Sequence, residues 1–235
     1  MGARAGHALA AAGDAAHQAG RWLRGAPGTL VWLGILLVTE IISGRLSPEA
    51  LHDVLGARST NLDHLASDPV HVLVVSAFWL AGGTWLSYAV LFLVFVATTE
   101  RWLGTGRWLV VLATAHVLAT YVSQGVLALW IHLGQEPASE AHTLDYGVSY
   151  ALAGCQAVLT WHVARPWRWA YLAALLAVYT TPLLVDVDFT DVGHVTAALL
   201  GLALYPLTRG MGEPWDPGRS WRRRRAGVTR GFTRT

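Results

Sequence analysis

The sequence predicts an all-α integral membrane protein, a bundle of six transmembrane helices with both termini in the cytoplasm. Three observations carry this. Of 235 residues, 54% are hydrophobic and 14% charged, against about 25% charged in ordinary soluble domains. Several apolar runs reach the roughly 20 residues a helix needs to cross a bilayer. The arginines, finally, fall almost entirely on one side of those runs.

The spans follow in order. The first covers about 27–43 and contains Glu40, about one turn from its outer end. The second covers about 84–99 and the third about 107–131, with His116 inside it. The fourth covers about 143–163, the fifth about 168–185 and the sixth about 190–208. Backbone in lipid must satisfy its own hydrogen bonds, so these runs are expected to be helices. Three regions result: a cytoplasmic N-terminal segment (1–26), a membrane domain (27–208) and a basic cytoplasmic tail (209–235).

Charge tests the count. With the N-terminus inside, 15 of 17 basic residues are cytoplasmic and only Arg45 and Arg58 lie outside, which is the positive-inside pattern. An odd number of spans would put the N-terminal arginines or the tail RSWRRRR on the wrong side. The tail is expected to touch anionic lipid headgroups. It has no interleaved aromatics to suit nucleic acid, and no nucleic-acid partner is expected. The outer loops are acidic, with Asp53, Asp63, Asp68, Glu136, Glu140, Asp145, Asp186, Asp188 and Asp191.

The connection at 44–83 is unusual. A polar stretch, RLSPEALHDVLGARSTNLDHLASD, leads into PVHVLVVSAFWLAGG, which is too apolar for a solvated loop. It reads as a loop on or in the outer leaflet, with Trp79 and Trp85 at the headgroup boundary. The alternative is one long tilted second helix starting at Val70.

Cys155 is the only cysteine, which excludes an intrachain disulfide framework and a cysteine-based metal site. The Ala-rich N-terminus has no compact apolar core before a cleavage site, so no signal peptide is expected. No internal repeat is present. All basic residues are arginine, as a GC-rich genome produces, and a bacterial cytoplasmic membrane is the expected location.

Several motifs together resemble the rhomboid intramembrane proteases. FWLAGGTWLSYAVLFLVFVATTERWLGTGRWLVV is similar to that family's first loop, second helix and following turn, with ERWLGTGRW as the best-matched piece. YALAGC in the fourth span resembles the helix after the catalytic serine. GHVTAALLGLAL in the sixth resembles the histidine helix. The resemblance covers about residues 27–208 and implies a six-helix rhomboid-like core. It also implies a serine on the fourth helix and a histidine, here His194, on the sixth.

The departures concern the chemistry. An ungapped alignment of YALAG puts Tyr146 where the family has its serine, followed by Gly147, and keeps the packing glycine Gly154. Taking GVSY as the motif instead keeps a serine, Ser149, with Tyr150 in place of the second glycine. The first register is preferred. The family's His and Asn oxyanion donors fall near Thr84 or Trp85 and near Tyr88 or Ala89, so neither is retained.

The candidate site residues are therefore Ser149, His194, Asp145, Asp191 and Tyr146. Asp145 and Ser149 are i, i+4 on one face. Gly147, Ala151 and Gly154 form a small stripe, as do His194, Ala197 or Ala198, and Gly201, and such stripes let membrane helices approach closely. Asp191 suits a helix N-terminus. Three readings are open. In the preferred one, the polar residues fix two helices and the protein binds transmembrane clients or lipids without cutting them. In the second, Ser149 attacks, His194 is the base and Asp145 or Asp191 orients it. The missing oxyanion donors, each worth about 3 kcal/mol of barrier, oppose this. In the third, His194, Asp145 and Asp191, with His71 or His142, hold zinc, although no metal-ligand motif supports it and no cofactor is expected.

Overall fold

The computed structural model describes residues 13, 17, 18, 20–80 and 84–219. The first twelve residues and the tail beyond Arg219, with the arginines expected to meet lipid, lie outside these. Among the described residues the regular structure is helical. The one β feature is an isolated bridge between Val163 and Trp215.

Helix α1, Pro27–Ser43, coincides with the first apolar run and starts on a proline. Proline costs nothing there, because that N–H would be unpaired anyway. The polar connection then folds as α2 (Pro48–Gly56), α3 (Leu62–Ser67) and α4 (Pro69–Ser76). Each start has a side-chain cap, from Ser47, Asn61 and Asp68 in turn. Helix α5 spans Trp85–Leu103, with a π-helical turn at Phe92–Val96, and α6 spans Thr105–His132. Then come α7 (Val148–Val158), continued by a 3-10 turn Leu159–His162, and α8 (Trp167–Thr180). One turn at Pro182–Val185 precedes α9 (Phe189–Ala203), and a 3-10 turn follows at Tyr205–Thr208.

Helices α5 and α6 are long and apolar enough to cross a membrane, and α1 and α9 are shorter apolar helices. Gly104, the single residue between α5 and α6, has φ 78°, a left-handed conformation that favours glycine. The long second helix from Val70 does not form. Helix α4 stops at Ser76 and α5 starts at Trp85. Trp79 is covered by the protein itself. It is buried, 9% exposed, beneath the Arg58 guanidinium at 4.6 Å. Trp85 donates its indole N–H to the Leu33 carbonyl at 3.2 Å.

The chain divides into two compact units, residues 1–110 with 144–148, and 111–143 with 149–235. The first is organised by Glu100, which is 1% exposed. Its carboxylate accepts from the N–H groups of Gly28 (2.9 Å) and Thr29 (2.7 Å) at the open end of α1. It also accepts from the hydroxyls of Thr29 (2.7 Å) and Thr105 (2.8 Å). A buried carboxylate at a helix N-terminus is stabilised by those donors and by the helix dipole. Gly28 is required there, since a Cβ would lie 2.5 Å from the Trp108 ring and 2.9 Å from Glu100 Oε1. Trp32 packs edge-on against Phe92 at 4.7 Å and Trp108 at 6.4 Å. The other face of α1 is bare and apolar, with Val31 63% and Val38 56% exposed, as a lipid-facing surface is.

Candidate functional site

The second unit brings Gly154 of one small-residue stripe against Ala197 and Gly201 of the other, while Gly147 precedes α7 and belongs to the first unit. A Cβ on Gly201 of α9 would collide with the Gly154 carbonyl of α7 and lie 2.8 Å from the Ala157 Cβ. A Cβ on Gly154 would collide with Ala115 of α6, with the Ala197 carbonyl at 3.7 Å. Ala115, Ala119, Tyr150, Ala153 and Ala197 make one fully buried cluster. Three helices approach this closely because their contact positions carry almost no side chain, and close packing is what drives helix association in lipid.

At one end of this seam the small residues give way to rings. A Cβ on Gly193 would lie 2.6 Å from the Tyr150 Cζ, so glycine there admits the tyrosine. Its neighbour His194 meets the Tyr150 ring edge-on at 5.1 Å and stacks on the Tyr179 ring of α8 at 5.9 Å, 22° between planes. Tyr150 is fully buried and donates its hydroxyl to Ser123 Oγ at 3.3 Å. Tyr179 donates to Gln156 Oε1, and Tyr171 donates to the Gln156 carbonyl at 2.7 Å. His116 and Gln124 of α6 add further buried polar groups.

The five sequence candidates divide between the units. Asp145 and Tyr146 belong to the first, in the extended stretch before α7. The Asp145 N–H donates to Ser59 Oγ at 2.7 Å, and its carbonyl accepts from the Thr60 N–H at 3.0 Å and hydroxyl at 3.1 Å. The Tyr146 hydroxyl donates to the Leu55 carbonyl at 3.2 Å. These bonds tie the entry of α7 to the segment between α2 and α3.

Ser149, Asp191 and His194 belong to the second unit. Ser149 is half-buried in the first turn of α7. Among the described residues no hydrogen bond joins it to His194. Asp191 closes a capping box at the start of α9. Its carboxylate accepts from the Asp188 N–H at 3.4 Å, and the Asp188 carboxylate accepts from the Thr190 N–H at 3.5 Å and hydroxyl at 2.8 Å. Two helix N–H groups are thereby satisfied at the N-terminus.

Tyr179, Gln156 and Ser123 carry no motif and were not legible as part of the site. The same holds for a cavity of about 320 Å³ beside α6, lined by Trp130, Phe189 and the carboxylates of Glu136, Glu140, Asp186 and Asp188. These acids come from two of the loops read as acidic and outward-facing, but only folding brings them together. As for metals, among the described residues no group of three or more His, Cys, Asp or Glu side chains could hold an ion. His71 instead pairs with Asp68 at 3.8 Å in the first unit.

Residues 21–214 match the family model described as rhomboid-like protein. No curated protein and no solved structure matches the chain. With four fifths of its length inside that match, and with helices apolar enough for lipid, the chain belongs to the rhomboid superfamily as a rhomboid-like membrane protein.

Proposed function

We propose that this protein crosses a bacterial cytoplasmic membrane six times, with both termini inside, and binds transmembrane segments of client proteins, or lipids, without cleaving them. The observation that carries the reading is the setting of His194. A general base acts on a proton it reaches within hydrogen-bond distance. Here the imidazole lies between the rings of Tyr150 and Tyr179, and Ser149 offers it no hydrogen bond. The oxyanion positions support the same reading. The indole N–H of Trp85 is already committed to the Leu33 carbonyl.

The buried polar groups of α6, α7, α8 and α9 then act as a framework that holds a binding surface. The topology rests on the arginine distribution, 15 against 2, and on helices at each apolar run. Tail arginines on anionic headgroups fit the same orientation. A serine hydrolase is the second reading. It is favoured by the direct backbone contact between the helices that carry Ser149 and His194.

Membranes containing the protein, treated with a fluorophosphonate probe, test the two. The expected result is no labelling that depends on Ser149, together with photo-crosslinked membrane partners of full length in both the parent and Ser149→Ala. Labelling abolished by Ser149→Ala would overturn the binding reading.

A further inference from the structure

The segment Trp161–Trp169 concentrates arginine and tryptophan at the start of α8. Arg165 stacks over the Trp169 ring at 5.4 Å and Arg168 over the Trp161 ring at 5.5 Å. Arg168 also donates from Nε to the Val163 carbonyl at 2.9 Å and from Nη2 to the Trp161 carbonyl at 3.2 Å. Its head is therefore held rigidly. Arg165 makes no hydrogen bond or ion pair among the described residues. Stacking occupies the face of a guanidinium and leaves its N–H edge, the part that grips phosphate in a bidentate way, unused.

The surroundings are prepared for an anion at a lipid boundary. Helix α8 has no acidic residue in its first turn and no side-chain cap, so its positive end is uncompensated. Trp167 and Trp169 are 49% and 54% exposed. Large rings left this bare are unfavourable in water but suit the headgroup layer, where an apolar ring meets a polar edge. The platform is braced from behind. Trp161 donates its indole N–H to the Leu202 carbonyl at 3.0 Å and packs on Tyr205 at 4.8 Å. The Trp215 backbone pairs with His162 at 2.7 Å and Ala164 at 2.9 Å. Glu213 and Asp216, the acids flanking Trp215, engage Arg219 at 3.3 and 3.4 Å.

We propose that Arg165 and Arg168, with Trp167 and Trp169, bind the phosphate of an anionic phospholipid headgroup at the start of α8. The lipid phosphate meets the open guanidinium edge of Arg165, the fixed charge of Arg168 adds attraction beside it, and the indoles settle between headgroup and acyl chain. The site is separate from the Arg-rich tail. It rests on membership of a membrane family and not on the client-binding reading.

The test is native mass spectrometry of the full-length protein in detergent, with added phosphatidylglycerol or phosphatidylcholine. The parent is expected to retain phosphatidylglycerol preferentially. Arg165→Gln should lower that preference about fivefold, the factor one interfacial arginine contributes. Trp169→Leu, which leaves every charge in place, should lower it too. Arg45→Gln, which removes one exposed arginine from the connection between α1 and α2, should leave it unchanged, as should replacing Arg222, Arg223, Arg224 and Arg225 by Gln. Equal preference in the parent, Arg165→Gln and Trp169→Leu would overturn the proposal. So would loss of the preference in the tail variant.

Discussion

The ring of Tyr150 meets the imidazole of His194 edge-on, 5.1 Å between centroids, and Gly193 provides the space for it. One residue of α7 thus determines what the histidine of α9 can touch. Tyr150→Phe keeps the ring and removes the hydroxyl with its bond to Ser123 Oγ, so it should cost about 1 kcal/mol. Tyr150→Ala empties a fully buried site and should cost about 3–5 kcal/mol. It should also speed modification of His194 by diethylpyrocarbonate, followed on the His194 peptide by mass spectrometry. Equal rates in parent and Tyr150→Ala would mean that the ring does not enclose the imidazole.

Gly201 and Gly154 allow α7 and α9 to touch through backbone. Gly201→Leu cannot be absorbed by moving a side chain, because the obstruction is the Gly154 carbonyl and Cα. Overpacking of this kind costs about 1–3 kcal/mol or more. Thermal unfolding in detergent should show Gly201→Leu well below the parent. Gly212→Leu, at a glycine with open space around it, should unfold with the parent.

Glu100 is the corresponding point of the first unit. Glu100→Ala strands the Gly28 and Thr29 N–H groups and two hydroxyls. At about 1–3 kcal/mol for each buried unsatisfied group, the loss should be large. Glu100→Gln keeps an acceptor oxygen, so its melting temperature should fall between the parent and Glu100→Ala. A Glu100→Ala protein as stable as the parent would show that the cap contributes nothing.

Glu49 gives α2 a pH dependence. Its carboxyl lies below the usual glutamate range because its own backbone N–H, then the Ser47 hydroxyl, donate to the ionised form. A lowered pKa adds stability above the ordinary glutamate value, and that stability fades as pH falls through the lowered one. Hydrogen-exchange protection factors for Ala50 and Leu51 should drop in that acid window and stay flat in Glu49→Gln.

Parts of this architecture were legible along the chain. The first apolar run ends where α1 ends, because Pro27 starts a helix and Gly44 follows its last residue. The family was legible because ERWLGTGRW and GHVTAALLGLAL are local patterns. Asp191 as a helix-start residue was legible from its type and position. The fourth run misled at its edge. Residues from about 143 belong to a stretch apolar enough for a helix, yet α7 starts at Val148. Ser59 and Thr60, more than eighty positions away, hold the Asp145 backbone extended. The cover of Trp79 was not legible for a similar reason, since Arg58 comes from a polar stretch that looks solvent-bound.

By itself the sequence determined the class of the molecule, its family and the close-packing glycines Gly154 and Gly201, and it singled out His194. These depend on composition, on short-range spacing and on which positions lack a side chain. Only the tertiary structure decided what surrounds that histidine. Its neighbours come from positions 150 and 179, on two other helices. In a lipid-soluble helix both the buried and the exposed faces are apolar, so periodicity does not show which face turns inward. The choice of partners for His194, and with it the case for binding over cleavage, depends on how α7, α8 and α9 pack.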